Sequence, residues 1–146
     1  MSALIVVGVD GSESSIDALK WAANQARITD ASLEVVTTWE YPNSFGWAPA
    51  WPPDWDPGGD ATKALAKVLE EVLGTKPDIE VRQVVLEGHA APALVQRAES
   101  ADLLVVGSRG HGEFAGMLLG SVSEHCATHS PCPVVIIRRR NQDMVQ

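Results

Sequence analysis

The sequence predicts an α/β fold, a parallel β-sheet with helices on both faces. Two observations carry this expectation. Short runs rich in Val, Ile and Leu alternate with stretches whose apolar residues recur at helical spacing. The first run, Leu4 to Val9, is apolar throughout, as a strand buried on both faces must be. Strands separated by helices are joined by right-handed crossovers, which lay the strands parallel and cover both sides of the sheet.

The elements follow in order. Leu4 to Val9 ends in Asp10-Gly11-Ser12, a turn sequence. Ile16, Leu19, Ala22, Ala23 and Ala26 then mark a helix, with Ser12 or Ser14 available as N-cap. Leu33 to Trp39 is the second strand. Tyr41 to Gly59, crowded with Pro and Trp, reads as irregular. Ala61, Leu65, Val68, Leu69 and Val72 share one face of a second helix, which Gly74 and Pro77 end. Ile79 to Leu86 is a third strand, and Ala91 to Ala98 a third helix with Leu94, Val95 and Ala98 facing in. Leu103 to Val106 is the fourth strand, Ser121 opens a fourth helix, and Pro133 to Ile137 is the fifth strand. No internal repeat or second domain is evident, so residues 1–146 read as one domain.

Composition excludes several classes. The formal charge of −8, from 19 acidic and 11 basic side chains, repels nucleic acid, and Arg138-Arg139-Arg140 is the single basic run. No apolar run approaches the ~20 residues of a membrane span. The start, Met1 to Gly8, has no basic segment, and no small-residue cleavage site precedes Asp10. It reads as a buried strand rather than a signal peptide, and a cytoplasmic location is expected. Cys126 and Cys132 are too few for a disulfide framework or a zinc ribbon and read as two reduced thiols.

The chemistry concentrates after the fourth strand. Gly107 to Ser123 contains five glycines, which expose backbone N–H groups and permit positive φ. Consecutive N–H groups form an anion-binding concavity, and the helix opening at Ser121 adds its N-terminal N–H groups and dipole. Backbone donors can thus hold phosphate without a lysine. The chain has no G-x4-G-K-[ST] and so is not a P-loop NTPase. Gly110-x-Gly112-x-x-Ala115 fits a loose dinucleotide fingerprint but lies in the wrong βα turn.

The spacing Gly107-x2-Gly110-x9-Gly120-Ser121 resembles the glycine signature of the ATP-binding universal stress proteins. Val7 to Ser12 looks like that family's first strand and turn, and Pro133 to Ile137 like its last strand. The resemblance implies a doubly wound, Rossmann-like sheet of order 3-2-1-4-5, similar to adenine nucleotide alpha hydrolases, with ATP and Mg2+ at the reversal between strands one and four. It implies that Asp10 and Gly11 meet the ribose or metal–phosphate region, with Asp10 reaching Mg2+ through the nucleotide. It gives Thr38 to adenine and Gly107 to the ribose. Gly110, Gly120, Ser121, Val122 and Ser123 cradle phosphates, with Ser108, Arg109, His111 and Gly112 in the same loop. It further implies a homodimer through the fifth strand, and a nucleotide-dependent sensor in the stress response rather than a fast enzyme.

Structural roles compete for some of these residues. Ser121 to Glu124 is also a capping box, and Asp10 at a strand end is also a turn former. His125 and His129 stand four apart on a helix without an evident third metal ligand, and His89 falls in the turn before the third helix. Trp39, Trp47, Trp51 and Trp55 with five prolines form either a stacking surface or a stiffened loop. No base–nucleophile pair can be placed at the site, so fast catalysis is not expected, although slow ATP hydrolysis is compatible with it. Three alternatives remain: an adenylating PP-loop-like ATPase, weakly matched by Asp10 to Ser15; a phosphorelay receiver, which lacks its acid cluster and lysine here; and a nucleotide-free, protein-binding member of the same family.

Overall fold

The computed structural model describes residues 3–42, 52–109 and 119–139. The elements are β1 (Leu4–Gly8), α1 (Glu13–Thr29), β2 (Ser32–Trp39), α2 (Pro57–Leu73), β3 (Val81–Glu87), α3 (Ala90–Ala98), β4 (Leu103–Gly107), α4 (Ser121–His129) and β5 (Val134–Ile137). The strands form one parallel sheet of order β3-β2-β1-β4-β5. The order expected from the resemblance is the order found.

β1 lies at the centre and supplies both cores. Ile5 and Val7 point to the face covered by α1 and α2, with Leu19, Leu33, Val35, Leu65 and Val105. Val6 points to the opposite face with Val36, Leu94, Leu104, Val106 and Cys126, beneath α3 and α4. This two-sided burial is why the run from Leu4 is continuously apolar. On α1 the stripe Ala18, Leu19, Ala22, Ala23 and Ala26 is buried, and four of the five are alanines, so the helix lies close on the sheet. Ser12 is its N-cap and accepts from the Ser15 N–H at 3.3 Å. Asp30, left-handed at φ 55°, ends it.

Three boundaries differ from the sequence reading. α2 starts at Pro57, so the last three residues of the supposed irregular segment are its first turn; Asp56 is the N-cap and accepts the Gly59 N–H at 3.0 Å. The third strand spans Val81–Glu87 rather than beginning at Ile79. Leu33 N–H bonds the Glu80 carbonyl at 2.8 Å just before that strand starts. In α4 the N-cap is Gly120, and Ser121 is already helical. The expected Ser121 capping box is therefore not formed, because the cap position belongs to a residue without a side chain.

Candidate functional site

β1 is flanked by β2 and β4, and the chain leaves β1 towards β2 but returns on the other side at β4. Crossovers that diverge on opposite sides leave a crevice at the carboxyl ends of the two strands. A cleft partly open to solvent lies there. Its strand-end lining is Gly8 of β1 with Val9 and Asp10 just beyond it, Val36, Thr37 and Thr38 from β2, and Val106 and Gly107 from β4. Ser15, Ala90 with Leu94, and Gly120 with Val122 and Ser123 bring α1, α3 and α4 to the rim, and Arg109 supplies a cation.

The backbone at the mouth is shaped by specific bonds. The Asp10 carboxylate accepts the Ser12 N–H at 2.9 Å and the Ser12 hydroxyl, an Asx turn. Gly11 takes φ 86°, a conformation that excludes ordinary side chains. The Ser15 hydroxyl receives the Asp10 N–H at 3.2 Å and donates to the Ser12 carbonyl at 2.9 Å. Asp10 is thus a turn former that also lines the cleft.

Gly107 has a packing reason that its sequence context does not reveal. A Cβ there would stand 2.7 Å and 2.8 Å from the Ser14 carbonyl carbon and oxygen, so α1 approaches β4 as closely as glycine allows. Ser108 is buried, and its N–H bonds the Ile137 carbonyl at 2.9 Å. Its own carbonyl accepts the Gly120 N–H at 2.6 Å and the Ser123 hydroxyl at 3.1 Å. The Gly120 N–H is therefore spent within the protein, and Gly120 has φ −75°, so neither an outward N–H nor a positive φ accounts for this glycine. The first turn of α4 borders the cleft through Val122 and Ser123; its N–H groups have no preceding helical carbonyl, and its cap has no side chain.

Thr38, one residue before the end of β2, is in register with Leu86. Glu40, two residues on, pairs with His89 Nδ1 at 3.0 Å, and Gly88 N–H bonds the Trp39 carbonyl at 2.8 Å, which ties the α3 entry to the end of β2. Trp39, Tyr41 and Trp55 form an edge-to-face row with centroid distances of 5.4 Å and 5.6 Å. Arg139 of the basic run pairs with Glu13 and with Asp17 (3.2 Å), so that run is partly neutralised by α1. Among the described residues no group of three or more His, Cys, Asp or Glu is arranged to hold a metal ion. The His125 and His129 rings contact each other at 4.4 Å.

Of the site residues expected from sequence, Asp10, Thr38, Gly107, Arg109, Gly120, Val122 and Ser123 line one cleft. Gly11 lies in the exposed turn that follows β1, Ser108 is buried and bonded to Ile137 and Gly120, and Ser121 opens α4. Gly110, His111, Gly112, Trp47 and Trp51 lie outside the described residues. Sequence reasoning missed Val9, Val36, Val106 and Leu94 as lining because apolar lining and apolar core are the same residue types.

Comparison with known proteins agrees with this architecture. The universal stress protein Rv2623 of Mycobacterium tuberculosis is 36% identical over 142 residues, covering 92% of this chain and 44% of that protein. A universal stress protein of Mycolicibacterium smegmatis is 34% identical over 139 residues, covering 93% and 46%. The chain thus spans less than half the length of these relatives. Among solved structures, the universal stress protein UspA from Lactobacillus plantarum superposes with TM-score 0.74 at 22% identity, over 93% of this chain and 97% of that one. A universal stress protein solved in complex with cAMP superposes with TM-score 0.70 at 30% identity, over 94% and 97%. No helix among the described residues is long and apolar enough to cross a membrane. Residues 1–138 match the universal stress protein family, to which this chain belongs.

Proposed function

We propose that this chain binds an adenine nucleotide in the cleft between β1 and β4, ATP with Mg2+ in the cell, and acts as a nucleotide-dependent regulator in the cytoplasm. The observation that carries the reading is the convergence at one cleft of an apolar wall, an uncapped helix N-terminus and the bounding glycines Gly107 and Gly120. The chemistry of the lining fits the ligand. Val9, Val36 and Leu94 offer apolar surface to a base, the backbone of Thr37 and Thr38 offers polar groups to its edge, and the first turn of α4 with Arg109 suits phosphate. Asp10 is the acidic side chain of the lining and the residue here to meet a phosphate-bound Mg2+. The cAMP complex of a 30%-identical universal stress protein supports the adenine class.

We assign no catalytic residue, and hydrolysis, where it occurs, is slow. The bound nucleotide is then a state to be read by another protein rather than a substrate to be turned over. A homodimer through β5 belongs to the same reading. The test is thermal unfolding of nucleotide-free protein with and without Mg-ATP. A ligand of the folded state alone adds about 2.7 kcal/mol at ~100-fold excess over Kd, a shift of several degrees. No shift at millimolar ATP contradicts the proposal.

A further inference from the structure

Glu34 is a carboxylate on β2 with 1% exposure, and Arg97 on α3 grips it with two parallel bonds, Nε and Nη2 to its two carboxylate oxygens, each 2.7 Å. In register with Val6 and two residues before Val36, Glu34 leaves the sheet on the α3 face, one layer beneath the cleft. Burying a carboxylate is costly, and an apolar pair of similar volume holds a core as well or better. The ion pair is therefore a poor way to add stability and a good way to fix geometry, because the planar guanidinium fork sets distance and rotation together. The guanidinium's own pKa is raised by this bond.

α3 needs such a device. It has nine residues, the side chain of its N-cap His89 turns to Glu40 and caps no backbone N–H, and its buried side chains are Leu94 and Ala98. A helix this short does not hold itself in water. Its position matters to the cleft, since Ala90 and Leu94 form one side of it. Leu94 fills the space above Gly8 so closely that a Cβ on Gly8 would lie 2.7 Å from its Cδ1. Arg97 stands three residues from Leu94, on the same side of the helix.

We infer that Arg97, clamped to Glu34, is a positioning residue of the cleft: it sets the rotation and depth of α3 so that Leu94 and Ala90 present a fixed wall to the base. The inference rests on the nucleotide reading, and its test separates the two. The double variant Glu34→Met/Arg97→Met removes both charges, and Arg97→Lys keeps the charge but loses the fork. Both are compared with the parent by thermal unfolding, by calorimetric titration with Mg-ATP and Mg-GTP, and by hydrogen exchange of α3 amides. The expected result for the double variant is a Tm near or above the parent's, about tenfold weaker ATP binding, a narrowed preference for ATP over GTP, and faster exchange in α3. Arg97→Lys gives a smaller change of the same kind, and stands alone if the double variant does not fold. Folded variants with parental affinity, preference and α3 exchange overturn the inference. Should the parent itself take neither nucleotide, the nucleotide reading fails, and exchange in α3 alone decides the clamp: acceleration confined to α3 supports it, and parental rates refute it.

Discussion

Ser108 and Gly120, on either side of the glycine-rich loop, are joined directly: the Gly120 N–H donates to the Ser108 carbonyl at 2.6 Å. The Ser123 hydroxyl adds a second bond to that carbonyl at 3.1 Å and one to the Gly120 carbonyl at 3.0 Å. The loop is thus pinched shut at its base by the protein itself, and the start of α4 is fixed against the end of β4.

Gly120→Asp should fold and lose ATP. Gly120 sits at φ −75° and ψ 167°, where any residue is comfortable, and aspartate is a favoured N-cap. The glycine is buried and lines the cleft, so the new carboxylate brings bulk and negative charge to the phosphate position. Calorimetry should give at least about tenfold weaker ATP binding, ~1.4 kcal/mol, with unchanged circular dichroism. Asp78→Asn, at the opposite end of the sheet, is the control. Parental affinity in Gly120→Asp would show that phosphate lies elsewhere.

Gly107→Ala should lose stability instead. The added methyl meets Ser14 backbone, which has no flexible end to swing away, so α1 must lift from β4. Overpacking of this kind costs about 1–3 kcal/mol. Denaturant unfolding measures it, and an unchanged midpoint would mean that α1 and β4 are not so close.

Arg97→Met alone should be worse than the double replacement with Glu34→Met. It strands the buried Glu34 carboxylate, a loss of about 3 kcal/mol for a broken buried pair, towards the low end because Arg97 itself is 39% exposed. Urea unfolding of the single and double variants checks the order. A single variant as stable as the double would show that Glu34 finds water or another partner.

Burial pushes the Cys126 thiol up to about 11, from an ordinary 9.0. The unfolded chain therefore sheds this proton first. The contribution is complete below pH 9 and is lost as pH rises from about 9 to 11. Cys126→Ala should flatten that alkaline decline, and thiol reagents at pH 8 should label Cys132 well before Cys126. An identical alkaline limb in Cys126→Ala would count against a buried, protonated thiol.

Ile136→Pro tests the proposed dimer. The Leu104 N–H bonds the Pro133 carbonyl and the Ser108 N–H bonds the Ile137 carbonyl, so odd residues of this strand face β4 and the backbone of Val134 and Ile136 faces outward. Proline at Ile136 removes an outward donor while sparing the β4 ladder. Light scattering should give monomer, and an intact dimer would place the interface elsewhere.

The elements were legible in sequence because periodicity is local. Leu4 to Val9, the alanine stripe of α1 and the Leu65/Leu69 face of α2 each state their type within a few residues. The start of α2 was missed although Asp56-Pro57 is a cap followed by a favoured first residue, because the surrounding Trp and Pro dominated the reading. The Glu34–Arg97 pair had no local signal: its members lie 63 residues apart and meet only across the sheet. Gly107 and Gly120 were found through the glycine spacing, yet their reasons, a close helix and a pinched loop, are tertiary.

The central claim, that an adenine nucleotide occupies the cleft between β1 and β4, is tested most directly by following backbone amide resonances during titration of nucleotide-free protein with Mg-ATP. The account predicts saturable shifts at Val9, Thr38, Gly107, Val122 and Ser123, with little change at Asp30, Asp78 and Glu80 at the far end of the sheet. Shifts centred on that far end, or none at millimolar ATP, would contradict it.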